Sequence, residues 1–267
     1  ARGLGKSGLV VAQDGRIRFD PNMIDALEVG DQLDLGWQPR VAPEQFEVIR
    51  FRQTSESGRW WQLRSLERDL VVATLAQRDG LVAGWMQEPR IDGGMEWTLV
   101  PIGPGLVRPE PKAADLPGCG GGINPGVDTE GPLEQGGIAG EDPEECAGCA
   151  ATVADIAFFY TSLCLEAEEE RIENDGGDPE DAPAAIAAVC ELECANTTIT
   201  MENSGLNYGT RPVYVGLVEW DEQSDSLLGP FQNTSDGIID EVHEIRDEVG
   251  ADACALVSLT DGENPSV

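Results

Sequence analysis

The sequence has only one histidine, His243, among its 267 residues. A single imidazole excludes a zinc site built from several histidines within this chain. Aromatic residues are also scarce, at 6%, whereas 32 glycines and 17 prolines predict many turns and at least one irregular segment. No run of about 18 apolar residues occurs, so we expect no membrane-spanning helix.

Basic residues are few, and they are unevenly distributed. Residues 1–110 carry 13 Lys and Arg against 16 Asp and Glu, whereas residues 111–267 carry 4 against 34, and the net charge of the chain is −33. This difference predicts two physically distinct units. A chain this acidic is repelled by phosphate backbones and anionic lipids, so we expect neither nucleic acid nor a membrane as a partner. The acidic half is interpreted as a solvated surface, with specific cation binding, such as calcium, as the alternative.

All seven cysteines lie in the acidic half, and with so little histidine they favour disulfides over a Cys/His zinc site. Disulfides imply an oxidising compartment, so we expect a secreted, extracellular protein. The N-terminal Ala1-Arg2-Gly3 is not followed by the apolar core of a signal peptide. This is expected if a signal peptide has been removed, and a trimmed chain would look the same.

Residues 1–110 are predicted to form an antiparallel all-β unit, either a sandwich or an open barrel. A short helix is expected at Pro21–Leu27, with Asp20 as its cap and Gly30 beyond its end. Trp60, Trp61 and Trp85 are interpreted as sheet residues of the core rather than as a ligand platform. The predicted strands are Gly8–Ala12, Arg16–Phe19, Gln32–Trp37, Phe46–Arg52, Trp60–Leu66, Leu70–Ala76, Leu81–Met86 and Trp97–Ile102.

Residues 111–150 are rich in glycine, proline and acidic residues, and they predict a linker. Residues 151–267 alternate between strand and helix patterns, so we expect a β-α-β-α-β unit with a small, mostly parallel sheet. The acidic segment Asp175–Asp181 is interpreted as a solvated loop, with a loose calcium loop as the alternative. The predicted elements are a strand at Asp155–Ser162, a helix with Ile186, Val189, Cys190 and Ile199 inward and Gly205 at its end, a strand at Arg211–Trp220, a helix from Asp236 to Gly250, and a strand at Ala253–Leu259.

The segment Asp236–Asp252, which reads DGIIDEVHEIRDEVGAD, resembles the helix and turn of reprolysin-like secreted bacterial metallopeptidases, the peptidyl-Asp metallopeptidase group of the metzincins. The strand at Ile156–Thr161, the helix end at Glu202–Asn207 and the strand at Val213–Trp220 follow the order in which that catalytic domain begins. Residues 19–108 resemble the propeptide ahead of it, notably at Gly58-Arg59-Trp60-Trp61. The resemblance implies an α+β chain: an antiparallel propeptide unit followed by an incomplete α/β metzincin-like subdomain.

Peptidases of this family bind zinc through H-E-x-x-H-x-x-G-x-x-H, in which three imidazoles hold the metal and the Glu activates water. Here His243-Glu244 supplies only the first two letters, on the helix before the family's catalytic helix, and no second histidine follows. The resemblance therefore implies the front portion of a secreted zinc metalloendopeptidase precursor, with no catalytic or metal-ligating residue and no activity by itself. Zinc and a peptide substrate would belong only to a complete protein. The alternative is a non-catalytic extracellular structural or self-assembling protein derived from a peptidase fold.

The resemblance also gives the cysteines possible roles. Cys119 follows the propeptide-like unit, where a thiolate would keep the zinc of a complete enzyme latent, as in the cysteine switch of other metzincins; a structural disulfide is the alternative. Because seven is an odd number, one thiol is left without a disulfide partner, and Cys254 is the candidate because its partner would belong to the part of the domain that follows the last predicted strand. Cys190 and Cys194 lie one helical turn apart, so each is expected to pair elsewhere. The predicted disulfide cysteines are Cys146, Cys149, Cys164, Cys190 and Cys194.

An incomplete sheet is also expected to leave an apolar face that needs a cover. The candidate covers are the N-terminal β unit, the C-terminal remainder of the peptidase, and other copies of the chain that pair at an open sheet edge.

Overall fold

A computed structural model describes residues 9–11, 16–35, 44–68, 71–88, 95–112, 152–220, 231, 233, 237–260 and 264–266. These residues form a large antiparallel sheet, a small and mainly parallel sheet, and helices packed on both. The α+β prediction is confirmed at this level. No helix among them is both long enough and apolar enough to cross a membrane.

The first unit, called here the β unit, is a nine-stranded antiparallel sheet with the order β1-β2-β9-β8-β7-β6-β5-β4-β3. The sheet curls so that β1 comes close to β3 at the opposite edge. A short helix, α1 (Pro21–Asp25), lies between β2 and β3. The strands are β1 (Leu9–Val11), β2 (Ile17–Phe19), β3 (Gln32–Leu35), β4 (Glu44–Gln53), β5 (Arg59–Ser65), β6 (Val72–Arg78), β7 (Leu81–Glu88), β8 (Met95–Gly103) and β9 (Leu106–Lys112).

Both faces of the central strands are buried, and the two adjacent tryptophans of β5 show how. Successive strand residues point to opposite faces, so Trp61 enters the core of the β unit while Trp60 faces the helices of the second unit. The indole N–H of Trp61 donates to the carbonyl of Leu27 at 3.2 Å, which ties the residues after α1 to the core. The prediction that these tryptophans are core residues is confirmed, and Trp85 is partly buried against the cluster that contains Trp60.

Strand β9 was not predicted, and it extends the sheet into the segment assigned to the linker. Pro109 and Pro111 indicated a break there, yet they pair with Leu99 and Trp97 of β8. β9 pairs with β2 at Leu106 and Val107, and beyond that point its one neighbour among the described residues is β8. An edge position tolerates proline because no partner needs its missing N–H group. Residues 113–150 of the predicted linker lie outside the described residues.

The second unit, called here the α/β unit, has the strand order β11-β10-β12-β13. The first three strands are parallel, with β10 central, and β13 is antiparallel to β12. A 3-10 turn at Pro179–Asp181 separates α2 from α3. The elements are β10 (Thr152–Thr161), α2 (Ser162–Asn174), α3 (Ala182–Asn203), β11 (Tyr208–Val218), α4 (Glu241–Val249), β12 (Ala253–Thr260) and β13 (Asn264–Ser266).

Two helices differ from the prediction: α2 was not predicted, and α4 begins at a different residue. Helix α2 was missed because its sequence is mostly acidic and only Cys164 and Ile172 are fully buried, too sparse a pattern to show periodicity. Helix α4 begins at Glu241 after Asp240 rather than at Asp236, because Gly237 and Ile239 both adopt positive φ and bend the backbone. Its predicted end is confirmed, since Gly250 is left-handed.

The parallel sheet is covered on both faces. Helices α2 and α3 pack on one face around Phe158 and Tyr160, and α4 packs on the other around Phe159 and Val242. The expected uncovered apolar face is therefore not found in the described residues. The β unit contacts the outer side of α3 instead.

Candidate functional site at the junction of the two units

Helix α3 is buried on two sides. The face toward the β unit repeats at intervals of three and four residues and is rich in alanine, which lets a sheet approach closely. Its members are Ala182, Ala185, Ala188, Leu192, Ala195 and Ile199, packed with Trp60, Ala76, Leu81 and Ala83 of the β unit.

The face toward the parallel sheet consists of Ile186, Cys190 and Cys194. The prediction of a single inner side for this helix was wrong, because Val189 and Ile199 face the β unit while Ile186 and Cys190 face the parallel sheet.

A buried ion pair lies at the centre of this junction. Glu191 of α3 is fully buried, and its Oε1 accepts a hydrogen bond from the Thr54 hydroxyl of the β unit at 2.5 Å. Its Oε2 lies 3.3 Å from Arg78 Nη1, at the end of β6. The same nitrogen of Arg78 donates to the carbonyl of Pro212 in β11 at 3.2 Å, so this guanidinium binds two elements of the α/β unit.

The electrostatics of Glu191 follow from its burial. Desolvation raises the pKa of its carboxyl above the ordinary value, against the opposing effects of the Thr54 hydrogen bond and the Arg78 charge. Removing either partner would leave a buried carboxylate with too few partners, which is costly.

Further ion pairs surround the junction, and most of them place the cation in the β unit. Arg50 and Arg52 both bind Glu202 at the end of α3, at 2.6 Å and 3.3 Å. At the opposite end of the junction, Arg108 of β9 pairs with Asp175 after α2. Most basic residues of the sequence lie in the β unit and most acidic residues lie after it. At the junction, arginines of the β unit therefore pair with carboxylates of the α/β unit.

Close backbone contact occurs at the turn between α2 and α3. A side chain at Gly177 would overlap the carbonyl of Ile102 in β8. Arg171 of α2 donates to the carbonyl of Pro101 at 2.6 Å in the same region. The turn therefore sits directly on the β unit.

Two open clefts border the junction. One, of about 610 Å³, is lined by residues of both units that include Arg50, Phe51, Trp60, Glu202 and Leu206. The other, of about 550 Å³, lies between Arg18 and Ile102 on one side and the turn at Gly177–Asp181 on the other. Both are shallow openings at the ends of the contact surface rather than enclosed chambers.

The cysteines predicted to form disulfides separate into two groups. Cys164, Cys190 and Cys194 are buried in one cluster beside Tyr160, and no disulfide joins them to one another. Burial raises the pKa of the Cys194 thiol to about 12 and raises that of Cys190 further. Cys254 is a half-buried free thiol on β12. The remaining cysteines, Cys119, Cys146 and Cys149, lie outside the described residues.

The residues that the sequence analysis considered for metal binding are His243 and the acidic segment Asp175–Asp181. His243 lies on α4 next to the buried Val242, and neither ring nitrogen has a hydrogen-bond partner among the described residues. No group of three or more His, Cys, Asp or Glu side chains in the described ranges is placed to hold a metal ion. In the acidic segment, Asp178 caps the 3-10 turn through the Glu180 N–H. Calcium binding by this segment stays a prediction.

Sequence reasoning missed Thr54, Arg78 and Glu191. The available signal was a glutamate within the long apolar pattern of the helix, in Ala-Ala-Val-Cys-Glu-Leu-Glu-Cys-Ala. A buried acid in such a pattern needs a cation, but nothing in the sequence indicates which arginine supplies it.

No protein-family model matches this chain, and no curated protein matches it. Among solved structures, one described as "Structure of a chaperone-substrate complex" is similar over 38% of this chain and 82% of its own length, with 16% identity and a TM-score of 0.29. At this TM-score the likeness carries no argument about fold or function.

Proposed function

We propose that this chain is the front portion of a secreted zinc metalloendopeptidase precursor, in which the β unit is the prodomain of a metzincin-like α/β unit. The observation that carries the proposal is the junction at α3. A prodomain must recognise the domain that follows it, and here the β unit packs on the helix that supports the parallel sheet.

Two further observations support the proposal. The first strand of the α/β unit, β10, is the central one, and β11 and β12 flank it in parallel. Helices α2 and α3 precede β11 in the chain, and α4 precedes β12. Two segments that resemble the metallopeptidases also have the secondary structure that the resemblance implies: Val213–Trp220 lies mostly on the strand β11, and Asp236–Asp252 contains the helix α4. The family's zinc motif is not among the 267 residues, so in this proposal the chain alone is inactive.

Two measurements test the proposal. The purified chain is assayed for bound zinc and for peptide-bond cleavage, and the coding sequence after Val267 is read for H-E-x-x-H-x-x-G-x-x-H. We expect no stoichiometric zinc and no cleavage from the chain, and the motif downstream. Cleavage by the chain itself, or a stop codon directly after Val267, would contradict the proposal.

A second candidate is a non-catalytic extracellular protein that assembles through a sheet edge. The observation in its favour is β11, which has eleven residues and pairs only with β10 among the described residues. Tyr208 and Leu217 of β11 and Val153 of the neighbouring β10 are exposed apolar side chains. An unpaired strand edge with such side chains favours pairing with another chain. Light scattering across a concentration series separates the candidates, because self-assembly predicts a mass that rises with concentration and the precursor proposal predicts a constant mass.

A further inference from the structure

We propose that the β unit stays bound to the α/β unit as a noncovalent subunit after the chain between them is cut. The inference rests on the proposed function in one respect, since it concerns the fate of the prodomain in that precursor. In this inference the β unit remains the binding partner of the α3 surface after the cut.

The two units have a single covalent connection. The described part of the β unit ends at Lys112 and that of the α/β unit begins at Thr152, so the chain between them is the only backbone link. No cysteine precedes Cys119 in the sequence, so no disulfide can join the β unit to the rest of the protein. One cut between residues 113 and 151 therefore leaves no covalent link between the two units.

Separation would expose apolar surface on both partners. The α/β unit would uncover the alanine-rich face of α3 together with Leu192 and Ile199. The β unit would uncover Trp60, which is 2% exposed in the intact chain, and Leu81. Burial of a continuous apolar surface of this kind is typical of permanent rather than transient interfaces.

The charges of the junction fix the orientation of the two units. Glu191 reaches its two partners, Thr54 and Arg78, only when β6 lies against the middle of α3. The pairs of Glu202 with Arg50 and Arg52 fix the far end of the same helix. Complementary charges of this kind favour rapid and specific reassociation after transient separation.

The experiment uses the full chain with one recognition sequence for a site-specific protease inserted between residues 136 and 137. After complete cutting, size-exclusion chromatography and native mass spectrometry follow the two fragments from about 10 μM down to about 1 μM. We expect both fragments in one peak with the mass of the uncut protein at both concentrations. Two separate peaks, each with one fragment, would overturn the inference.

A variant pair shows whether the retention depends on the junction. Gly177→Val places a side chain against Ile102 of the β unit and also against Ile172 of its own unit, and we expect it to weaken retention at least about tenfold. Glu180→Val is the matched control, because Glu180 is exposed on the same turn, and we expect retention unchanged. Circular dichroism of the uncut variants checks folding; equal retention by a folded Gly177→Val protein would count against this surface.

If Gly177→Val does not fold, Arg50→Ala with Arg52→Ala provides a second test at the other end of the helix. We expect faster dissociation of the cut protein, and an unchanged rate would contradict the assignment. These readouts need neither bound zinc nor any peptidase activity of this protein. A missing downstream zinc motif would therefore defeat the proposed function and leave the complex intact, whereas separated fragments would defeat the inference alone.

Discussion

The two faces of helix α3 differ in what they bury. Toward the β unit the helix presents alanines, with Leu192 and Ile199 as its large side chains, and the tryptophan and leucine of the sheet supply the bulk. Toward the parallel sheet it presents Ile186 and two thiols, packed on Phe158 and Tyr160. The first face joins two units and the second belongs to one unit, so a single helix stabilises both.

The largest expected effect is on the thiol face. Cys190 and Cys194 are almost completely buried with raised thiol pKa values, so an alkylating reagent reaches them only when the protein opens. We expect labelling roughly a thousandfold slower than in urea, measured by mass spectrometry on single peptides. Half-buried Cys254 is the internal comparison and should react faster than either. Thiols that stay unlabelled in urea without reductant would instead indicate disulfides.

The next effect is on the buried ion pair at the centre of the junction. Arg78→Met leaves the Glu191 carboxylate buried without its cation, and we expect a loss of roughly 3–5 kcal/mol in unfolding free energy at neutral pH. Urea unfolding followed by circular dichroism measures it. The matched control is Arg64→Met, whose pair with Glu47 is more exposed and should change stability by at most about 0.5 kcal/mol. Equal losses in the two variants would show that the junction pair has no special role.

A packing substitution tests the alanine face itself. Ala188→Leu inserts three carbons where α3 meets the sheet, and overpacking there should cost about 1–3 kcal/mol. Thr197→Leu is the control on an exposed position of the same helix. Thermal or urea unfolding of both variants gives the comparison, and a neutral Ala188→Leu would mean that the two units do not pack tightly.

These alanines also show what could be predicted from the sequence. Strands β1 to β8, α1 and the order β10, α3, β11, α4, β12 follow from local patterns of apolar and turn residues, whereas β9 and α2 do not. The two-sided burial of α3 does not, because a helix with apolar residues over most of its circumference has no clear periodicity to indicate which residues face which sheet. Arg78 and Glu191 are 113 positions apart, and no local pattern joins groups so distant in the chain.

A smaller effect is expected from the hydrogen bond to Glu191. Thr54→Val keeps the shape of the side chain and removes the donor that lies 2.5 Å from the carboxylate, so we expect a loss of about 1–2 kcal/mol. Thr152→Val, at an exposed position, is the control. Urea unfolding measures the change in unfolding free energy of both variants. A change of less than about 0.3 kcal/mol for Thr54→Val would count against this contact.

The smallest effect is a pH dependence. Because burial raises the pKa of Glu191 above its ordinary value of 4.5, the folded protein holds this proton more tightly than the unfolded chain. The resulting stabilisation is complete below the unfolded pKa and is lost as pH rises through the folded one. Relative to Glu191→Gln, the wild-type protein should therefore become less stable as the pH rises above the ordinary carboxyl value of 4.5. Urea unfolding at several pH values checks this, and a difference that is constant or of opposite slope would contradict it.

Hydrogen exchange measured peptide by peptide tests most directly whether α3 is shared by the two units. If the β unit and the α/β unit are one cooperative body built around this helix, the slowest amides of β5, β6, α3 and β10 should exchange with one common opening free energy. They should also have one common dependence on denaturant. A β unit that opens at lower free energy while α3 and β10 stay protected would contradict the account.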